Sequence, residues 1–171
     1  IRKQQLQELN LQWICYQKII GRKVAITSDK PQTTRNIIQG IRTDSDTQMV
    51  FVDTPGIHKP KNRLGKILNK EAYFTLNDVD VILFLVDITE PLGKGDMFVI
   101  DVLKNVTVPV ILVINKIDML PKEEILKKID EYKDLYNFDE IVPISAYKHD
   151  NVDRLIDILK TKNKVYLRSI Q

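Results

Sequence analysis

Four apolar runs follow one another along the chain, each short enough to be a strand: MVFV (49–52), DVILFLVD (80–87), PVILVIN (109–115) and the weaker EIVPIS (140–145). Stretches with helical spacing of apolar residues follow these strands, over 62–77, 96–106, 122–135 and 151–161. Strands that alternate with helices predict crossover connections and a mostly parallel sheet with helices on both faces. The pattern therefore predicts a three-layer α/β domain.

Two further segments, NIIQGIRT (36–43) and TQMVFVDT (47–54), flank the polar triplet DSD. This arrangement predicts an antiparallel hairpin at one side of the sheet. In sheets of this kind, ligands bind at the carboxyl ends of the strands. The residues that follow each predicted strand are therefore the candidate functional residues.

Composition narrows the class of protein. The 171 residues, 43% hydrophobic and 29% charged, suit one globular domain, and the net charge of +3 gives no reason to expect a nucleic acid or a membrane as partner. Cys15 is the single cysteine, so the chain cannot form an internal disulfide, which fits a reducing compartment. No apolar run approaches the ~20 residues of a membrane span, and the N-terminus lacks the apolar core of a signal peptide. We expect a cytoplasmic protein.

The segment Asp53-Thr54-Pro55-Gly56 follows the strand at 49–52. A carboxylate at Asp53 can hold Mg²⁺ through water, and Gly56 can bring a backbone N–H close to a terminal phosphate. An ordinary turn accounts for the same residues, because Asp, Pro and Gly are common turn formers. Taken alone, the segment leaves both interpretations open.

The segment Asn115-Lys116-Ile117-Asp118 follows the strand at 109–115. The Asp118 carboxylate can accept both hydrogen bonds from the N1–H and exocyclic amine of guanine, which adenine does not offer, and such sites discriminate by roughly 10⁴ or more. Asn115 would bridge neighbouring loops, and the Lys116 stem would pack on the flat face of the base. The alternative is that Asp118 caps a helix beginning near residue 122.

Two weaker signals complete the set. Ser145-Ala146 follows the last strand, and a backbone N–H there can donate to the guanine carbonyl. The loop SDKPQTTRN (28–36) offers Thr33 or Thr34, either of which could turn a hydroxyl onto Mg²⁺. Taken alone, the loop is better explained as a solvated connection.

In this order, the four motifs resemble the Era family of ribosome-assembly GTPases, which is related to the translation factors. The resemblance rests on KIIGRKVAITSDKPQTTRNIIQGI (18–41), VDTPGIHKPKNRLG (52–65), NKID (115–118) and PISA (143–146). It implies a Ras-like P-loop GTPase fold, GTP or GDP with Mg²⁺ as ligands, and GTP hydrolysis in 16S rRNA maturation and small-subunit assembly. It also implies that nucleotide is bound by Asp53, Gly56, Asn115, Lys116, Asp118, Ser145 and Ala146, with Thr33 and Asp53 at the metal.

The phosphate-binding loop of the family, G-x-x-x-x-G-K-[ST], does not occur in this sequence. An ungapped comparison puts Leu11-Gln12-Trp13-Ile14 in its place, after the polar IRKQQ (1–5) where a strand should lie. We therefore expect an atypical segment over 1–17, from a truncated or frameshifted reading frame, ahead of a GTPase domain over 18–161. Its apolar residues have helical spacing and predict a longer first helix with Gly21 as its C-cap.

The first strand of the family fold is thus expected to be missing or replaced. It would lie between the strands at 47–53 and 80–86, which would then expose unpaired edges and make the domain marginal or prone to aggregation. Residues 162–171 lack the GXXG loop of the RNA-binding KH domain that follows in the family, and we expect a solvated tail.

Three functional hypotheses follow. The first is a GTP-binding protein of the Era type whose activity is impaired by the absent loop, with no catalytic residue identified, since the apolar Ile57 stands where some GTPases place a water-orienting Gln. The second is a non-catalytic remnant or binding module with the same fold. The third, an ATP-dependent P-loop enzyme, is disfavoured by Asp118.

Overall fold

A computed structural model describes residues 18–19, 21, 37–45, 47–53, 76, 79–162 and 166–170, and for 37–40, 52–53 and 166–170 it describes the backbone. Thr33, Thr34, Gly56 and Ile57 lie outside the described residues, as do the segment 1–17 and, except for Leu76, the helix predicted over 62–77.

In the described part of the chain, six strands form one sheet: β1 (Ile37–Thr43), β2 (Gln48–Asp53), β3 (Val81–Asp87), β4 (Val110–Asn115), β5 (Glu140–Pro143) and β6 (Tyr166–Ile170). Their order across the sheet is β1-β2-β6-β3-β4-β5. Only β1 and β2 pair antiparallel, which confirms the predicted hairpin, and every other pair is parallel. The β-branched and long apolar side chains of β3 and β4 are almost completely buried, as expected of strands covered on both faces.

The C-terminal segment corrects two expectations. Residues 166–170 do not form a solvated tail, and the described edges of β2 and β3 are not left unpaired. Instead β6 lies between them, with Phe51 and Val81 both paired to Leu167. An empty place inside a sheet would leave two rows of N–H and C=O groups without partners. The strand that fills it comes from the opposite end of the chain to the one expected, so the family's first strand is replaced.

Three helices lie wholly within the described residues: α1 (Lys94–Leu103), α2 (Lys122–Lys133) and α3 (Val152–Lys160). They confirm the three later helices predicted from apolar spacing. The Asp96 carboxylate accepts a hydrogen bond of 2.8 Å from the Gly93 N–H at the start of α1. In α3, four side chains at helical spacing are buried: Val152, Leu155, Ile156 and Leu159.

Alternate residues of β3 and β4 enter two separate cores. Val81, Leu83 and Leu85 face α3, together with Met49 and Phe51 of β2. Ile82, Phe84 and Val86 face α1 and α2. The period of two along a strand therefore divides the interior into two layers, and the predicted three-layer α/β architecture is confirmed.

The predicted C-cap at Gly21 is also present. Lys18 and Ile19 are helical, and Gly21 has a φ of 74°, in the left-handed region that glycine adopts without strain. The Arg42 guanidinium on β1 donates a hydrogen bond of 2.8 Å to the Ile19 carbonyl, which is one of the last carbonyls of that helix. A side chain at residue 21 would crowd the same guanidinium, since its Cβ would lie 3.1 Å from Arg42 Nη1.

Candidate functional site: the carboxyl ends of β3, β4 and β5

Three adjacent strands end at the same edge of the sheet. Asp87, the last residue of β3, is in register with Asn115, the last residue of β4, and Pro143 at the end of β5 is paired with Ile114. Parallel pairing thus brings the segments after β4 and β5 side by side. The predicted base-binding residues Asn115, Lys116, Asp118, Ser145 and Ala146 all lie in these segments.

Asn115 joins the two segments. Its Oδ1 accepts hydrogen bonds from the backbone N–H of Lys116 (2.8 Å) and from that of Ala146 (3.0 Å). A backbone bond of 3.2 Å from Ile117 N–H to the Ile144 carbonyl runs alongside. The predicted bridge between neighbouring loops is therefore present, and within the described part of the chain the Asn115 amide N–H groups have no acceptor.

Asp118 lies in a single 3-10 turn, Ile117–Met119, and not at the start of α2, which follows Pro121. The alternative that Asp118 caps that helix is therefore wrong. The Oδ1 atom of Asp118 accepts a hydrogen bond of 2.5 Å from the Ser145 hydroxyl. Ser145 is completely buried, and its Oγ also accepts a hydrogen bond from Lys148 N–H at 3.0 Å. One oxygen of the Asp118 carboxylate is thus held by a fixed serine, and Oδ2 has no partner among the described residues.

The backbone donors after β5 differ from the prediction. Ser145 N–H donates to the Asp150 carbonyl (3.0 Å), which closes the loop that follows, and Ala146 N–H donates to Asn115. A guanine carbonyl would therefore share the Ala146 donor with Asn115. The next backbone N–H, that of Tyr147, has no partner in the part of the chain that the structure describes.

Lys116 and Asp87 form a contact that the sequence interpretation missed. Lys116 has a φ of 68°, which is uncommon for a residue with a side chain, and its Nζ donates to the Asp87 carboxylate. Burial works against ionisation of Asp87, but hydrogen bonds from Lys116 and Thr89 outweigh it and hold the pKa of that carboxyl below its usual value. The signal was available, because Asp87 ends a predicted strand just as Asp53 does.

The predicted phosphate and metal side is described only at Asp53. The backbone of Asp53 ends β2 and is paired with Ser169 of β6 and Ile37 of β1. The other predicted residues of this side, Gly56 and Thr33 or Thr34, lie outside the described residues. Within the described ranges, no group of three or more His, Cys, Asp or Glu side chains is arranged to hold a metal ion. The roles of these residues stay predictions.

A doubly wound sheet with Asn-Lys-x-Asp and Ser-Ala at adjacent strand ends is the arrangement of the GTPase class of P-loop proteins. The comparison with family models agrees: residues 15–116, more than half of the chain, match the family of 50S ribosome-binding GTPases. The chain belongs to that family.

Comparison with solved structures shows that, within this family, the chain is similar to Era. The chain is 37% identical to Era crystallised with a magnesium complex of GDPNP and a fragment of 16S ribosomal RNA, with a TM-score of 0.70 over 87% of this chain and 51% of that one. For an Era variant from Aquifex aeolicus bound to GDP and aluminium fluoride, the identity is 36% and the TM-score 0.66, over 89% and 52%. The chain is thus an Era-like GTPase domain that spans about half the length of these proteins.

A more distant match shows the fold alone. The translation elongation factor SelB from Methanococcus maripaludis, with a GTP analogue, is 21% identical, with a TM-score of 0.62 over 88% of this chain and 30% of that one. Among the described helices, none is both long and apolar enough to cross a membrane.

Proposed function

We propose that this domain binds a guanine nucleotide, with Asp118 as the residue that selects guanine. The observation that carries the proposal is the hydrogen bond from the buried Ser145 hydroxyl to Asp118 Oδ1, which fixes the carboxylate and leaves Oδ2 without a partner among the described residues. Two neighbouring donors on guanine match two oxygens of one carboxylate, whereas adenine would leave the carboxylate unpaired. The base side of the site therefore fits the ligand that the Era relatives contain.

We place the phosphates and Mg²⁺ on the other side of the same edge. Asp53 and Gly56 would face the terminal phosphate, and Thr33 or Thr34 would complete the metal site with Asp53. Bound Mg²⁺ would supply positive charge to the phosphate oxygens. Slow hydrolysis of GTP in maturation of 16S rRNA is the activity that the Era likeness supports, because one of those relatives was crystallised with a 16S rRNA fragment.

A second candidate function is a non-catalytic binding module. The specific observation in its favour is β6, which fills the central place of the sheet from the C-terminal side, while the sequence contains no glycine-rich phosphate loop. Such a module would keep the guanine site and lose the tight grip on phosphates. GTP turnover measured beside Era distinguishes the two candidates, since only the enzyme releases phosphate above the buffer rate.

Asp118→Asn tests the base site directly. An amide suits the N1–H and C2 carbonyl of xanthine, so the variant should lose affinity for GDP and gain affinity for xanthosine diphosphate, each by tenfold or more, since ~1.4 kcal/mol is a factor of ten. Calorimetric titration with both nucleotides measures the exchange. Asp130→Asn is the matched control, because Asp130 is paired with Lys133 on the outer face of α2. Unchanged GDP affinity in Asp118→Asn would remove Asp118 from the site.

A further inference from the structure

We propose that Asp87 is a positioning residue of the guanine site, which acts by holding the Lys116 side chain in place before any ligand arrives. The inference rests on the proposed function, because it names the group that orders one wall of that site. Asp87 is not part of the sequence motif, and it comes from a different strand than Lys116. Register pairing places Asp87 beside Asn115, so it reaches the motif from the neighbouring strand end.

The Asp87 carboxylate is itself fixed. Its Oδ1 accepts two hydrogen bonds from the turn after β3, one from the Thr89 backbone N–H at 2.9 Å and one from the Thr89 hydroxyl at 2.7 Å. Its other oxygen, Oδ2, receives Lys116 Nζ. Both carboxylate oxygens therefore accept hydrogen bonds: Oδ1 from Thr89 and Oδ2 from Lys116. Three quarters of each side chain of the ion pair is shielded from solvent.

Lys116 is held at both ends. Its backbone N–H donates to Asn115 Oδ1, and its φ of 68° belongs to a well that side-chain-bearing residues enter uncommonly. With Nζ anchored on Asp87, the aliphatic stem runs in one direction along the carboxyl edge between β3 and β4. A free lysine would lose its rotamer freedom when a base packed on it, whereas here that freedom is lost on folding.

The charge of Lys116 has a consequence of its own. Because Asp87 neutralises it at close range, the ammonium group is not available to hold a phosphate. The effect of Asp87 should therefore fall on the base part of the ligand, and guanosine and GDP should respond equally. A residue that acted through the phosphates would change GDP binding and leave guanosine binding unchanged.

Asp87→Asn tests the inference in the full chain. Asparagine keeps an acceptor for Thr89, but it has neither the charge nor a second acceptor for Lys116. We expect about tenfold weaker binding of both guanosine and GDP, with their ratio unchanged. Lys116→Met keeps an apolar stem and removes the ammonium, so adding Asp87→Asn to Lys116→Met should cause no further loss. Asp101→Asn, which removes an exposed pair with Lys104, is the control.

The possible results distinguish the positioning role of Asp87 from the proposed function itself. Wild-type affinity in Asp87→Asn overturns the positioning role and leaves the proposed function intact. The role is also overturned by additive losses in the double variant, or by a loss that merely follows the unfolded fraction measured by circular dichroism at the titration temperature. If the wild-type chain binds neither guanosine nor GDP, the proposed function fails, and the inference fails with it.

Discussion

The two sides of the sheet's carboxyl edge are built in different ways. On the base side, β3, β4 and β5 are neighbours in space in the order of the chain, and short side-chain bonds such as Ser145 to Asp118 tie their ends together. On the other side, the β1–β2 hairpin pairs with the rest of the sheet only through β6 in the described part of the chain. The base side is thus held together by side chains of the sequence motifs. The hairpin side depends on β6, which lies near the C-terminal end of the sequence.

A half-buried ion pair connects α3 with the hairpin. Lys160, the last residue of α3, contacts Asp44 in the turn of the hairpin at 2.8 Å. The hydrogen bond from Lys160 lowers the pKa of the Asp44 carboxyl. The contact places the end of α3 beside the hairpin. Because both side chains are partly open to solvent, the pair should add little to the stability of the fold.

The largest effect should come from breaking β6. Leu167→Pro removes a backbone N–H from a strand that is paired on both sides, and a proline there should cost about 3 kcal/mol or more of unfolding free energy. The freed edges of β2 and β3 should also promote association. Urea unfolding and light scattering after gel filtration measure both effects. Deletion of Gln171, which follows the strand, is the control.

If Leu167→Pro stays monomeric with an unchanged unfolding midpoint, β6 does not hold the sheet together. The same result would restore the expectation that 162–171 is a solvated tail. A strand and glycine loop added ahead of Lys18 would have to displace β6, so the repaired chain should show whether the two segments compete for one place.

The second largest effect concerns how much the phosphates add to the binding affinity of the nucleotide. Each charge-assisted contact to a phosphate is worth roughly 1.5–3 kcal/mol, and the loop that usually supplies several of them is absent from the sequence. Guanosine and GDP should therefore bind this chain with affinities within about tenfold of each other. Calorimetry in Mg²⁺ buffer measures the ratio, with Era as the reference. GDP binding ~100-fold tighter than guanosine binding, or GTP turnover at the rate of Era, would contradict an impaired phosphate side.

The smallest expected effect concerns the pH dependence of the stability, through a buried tyrosine that packs behind β3. Tyr132 on α2 is buried, and burial together with the Asp96 carboxylate raises its pKa above the ordinary value of 10.0. The unfolded chain would ionise this phenol first, so stability should fall as pH rises above 10. Tyr132→Phe should weaken that dependence and cost about 1 kcal/mol at neutral pH through the lost hydrogen bond to Asp96.

Urea unfolding between pH 7 and 11 measures this dependence. Burial also raises the pKa of Tyr136, so the Tyr132→Phe variant should keep a smaller alkaline slope of stability against pH. Tyr147→Phe is the control, because Tyr147 is 69% exposed. An unchanged alkaline slope in Tyr132→Phe would show that the buried phenol is not the group that titrates.

Much of the architecture could be predicted, because it follows from local periodicity. Continuous apolar runs predicted β3 and β4, and helical spacing predicted α1, α2 and α3. The hairpin followed from two extended segments around a polar turn. The motif order predicted an Era-like GTPase, which the family match confirms. The closeness of the segments that carry Asn115, Asp118 and Ser145 was predictable too, since strand ends in a parallel sheet meet at one edge.

The sequence by itself determined which segments are strands and helices, and which side chains stand at the strand ends. Only the tertiary structure decided which strand fills the middle of the sheet and which side chains meet across the strand ends. Tyr166, Leu167 and Ile170 suit a strand, but the polar pair Arg168-Ser169 between them hid that signal. The place between β2 and β3 exists only once those strands are assembled. Likewise, Asp87 lies 29 positions from Lys116 along the chain, and parallel pairing alone brings the two together.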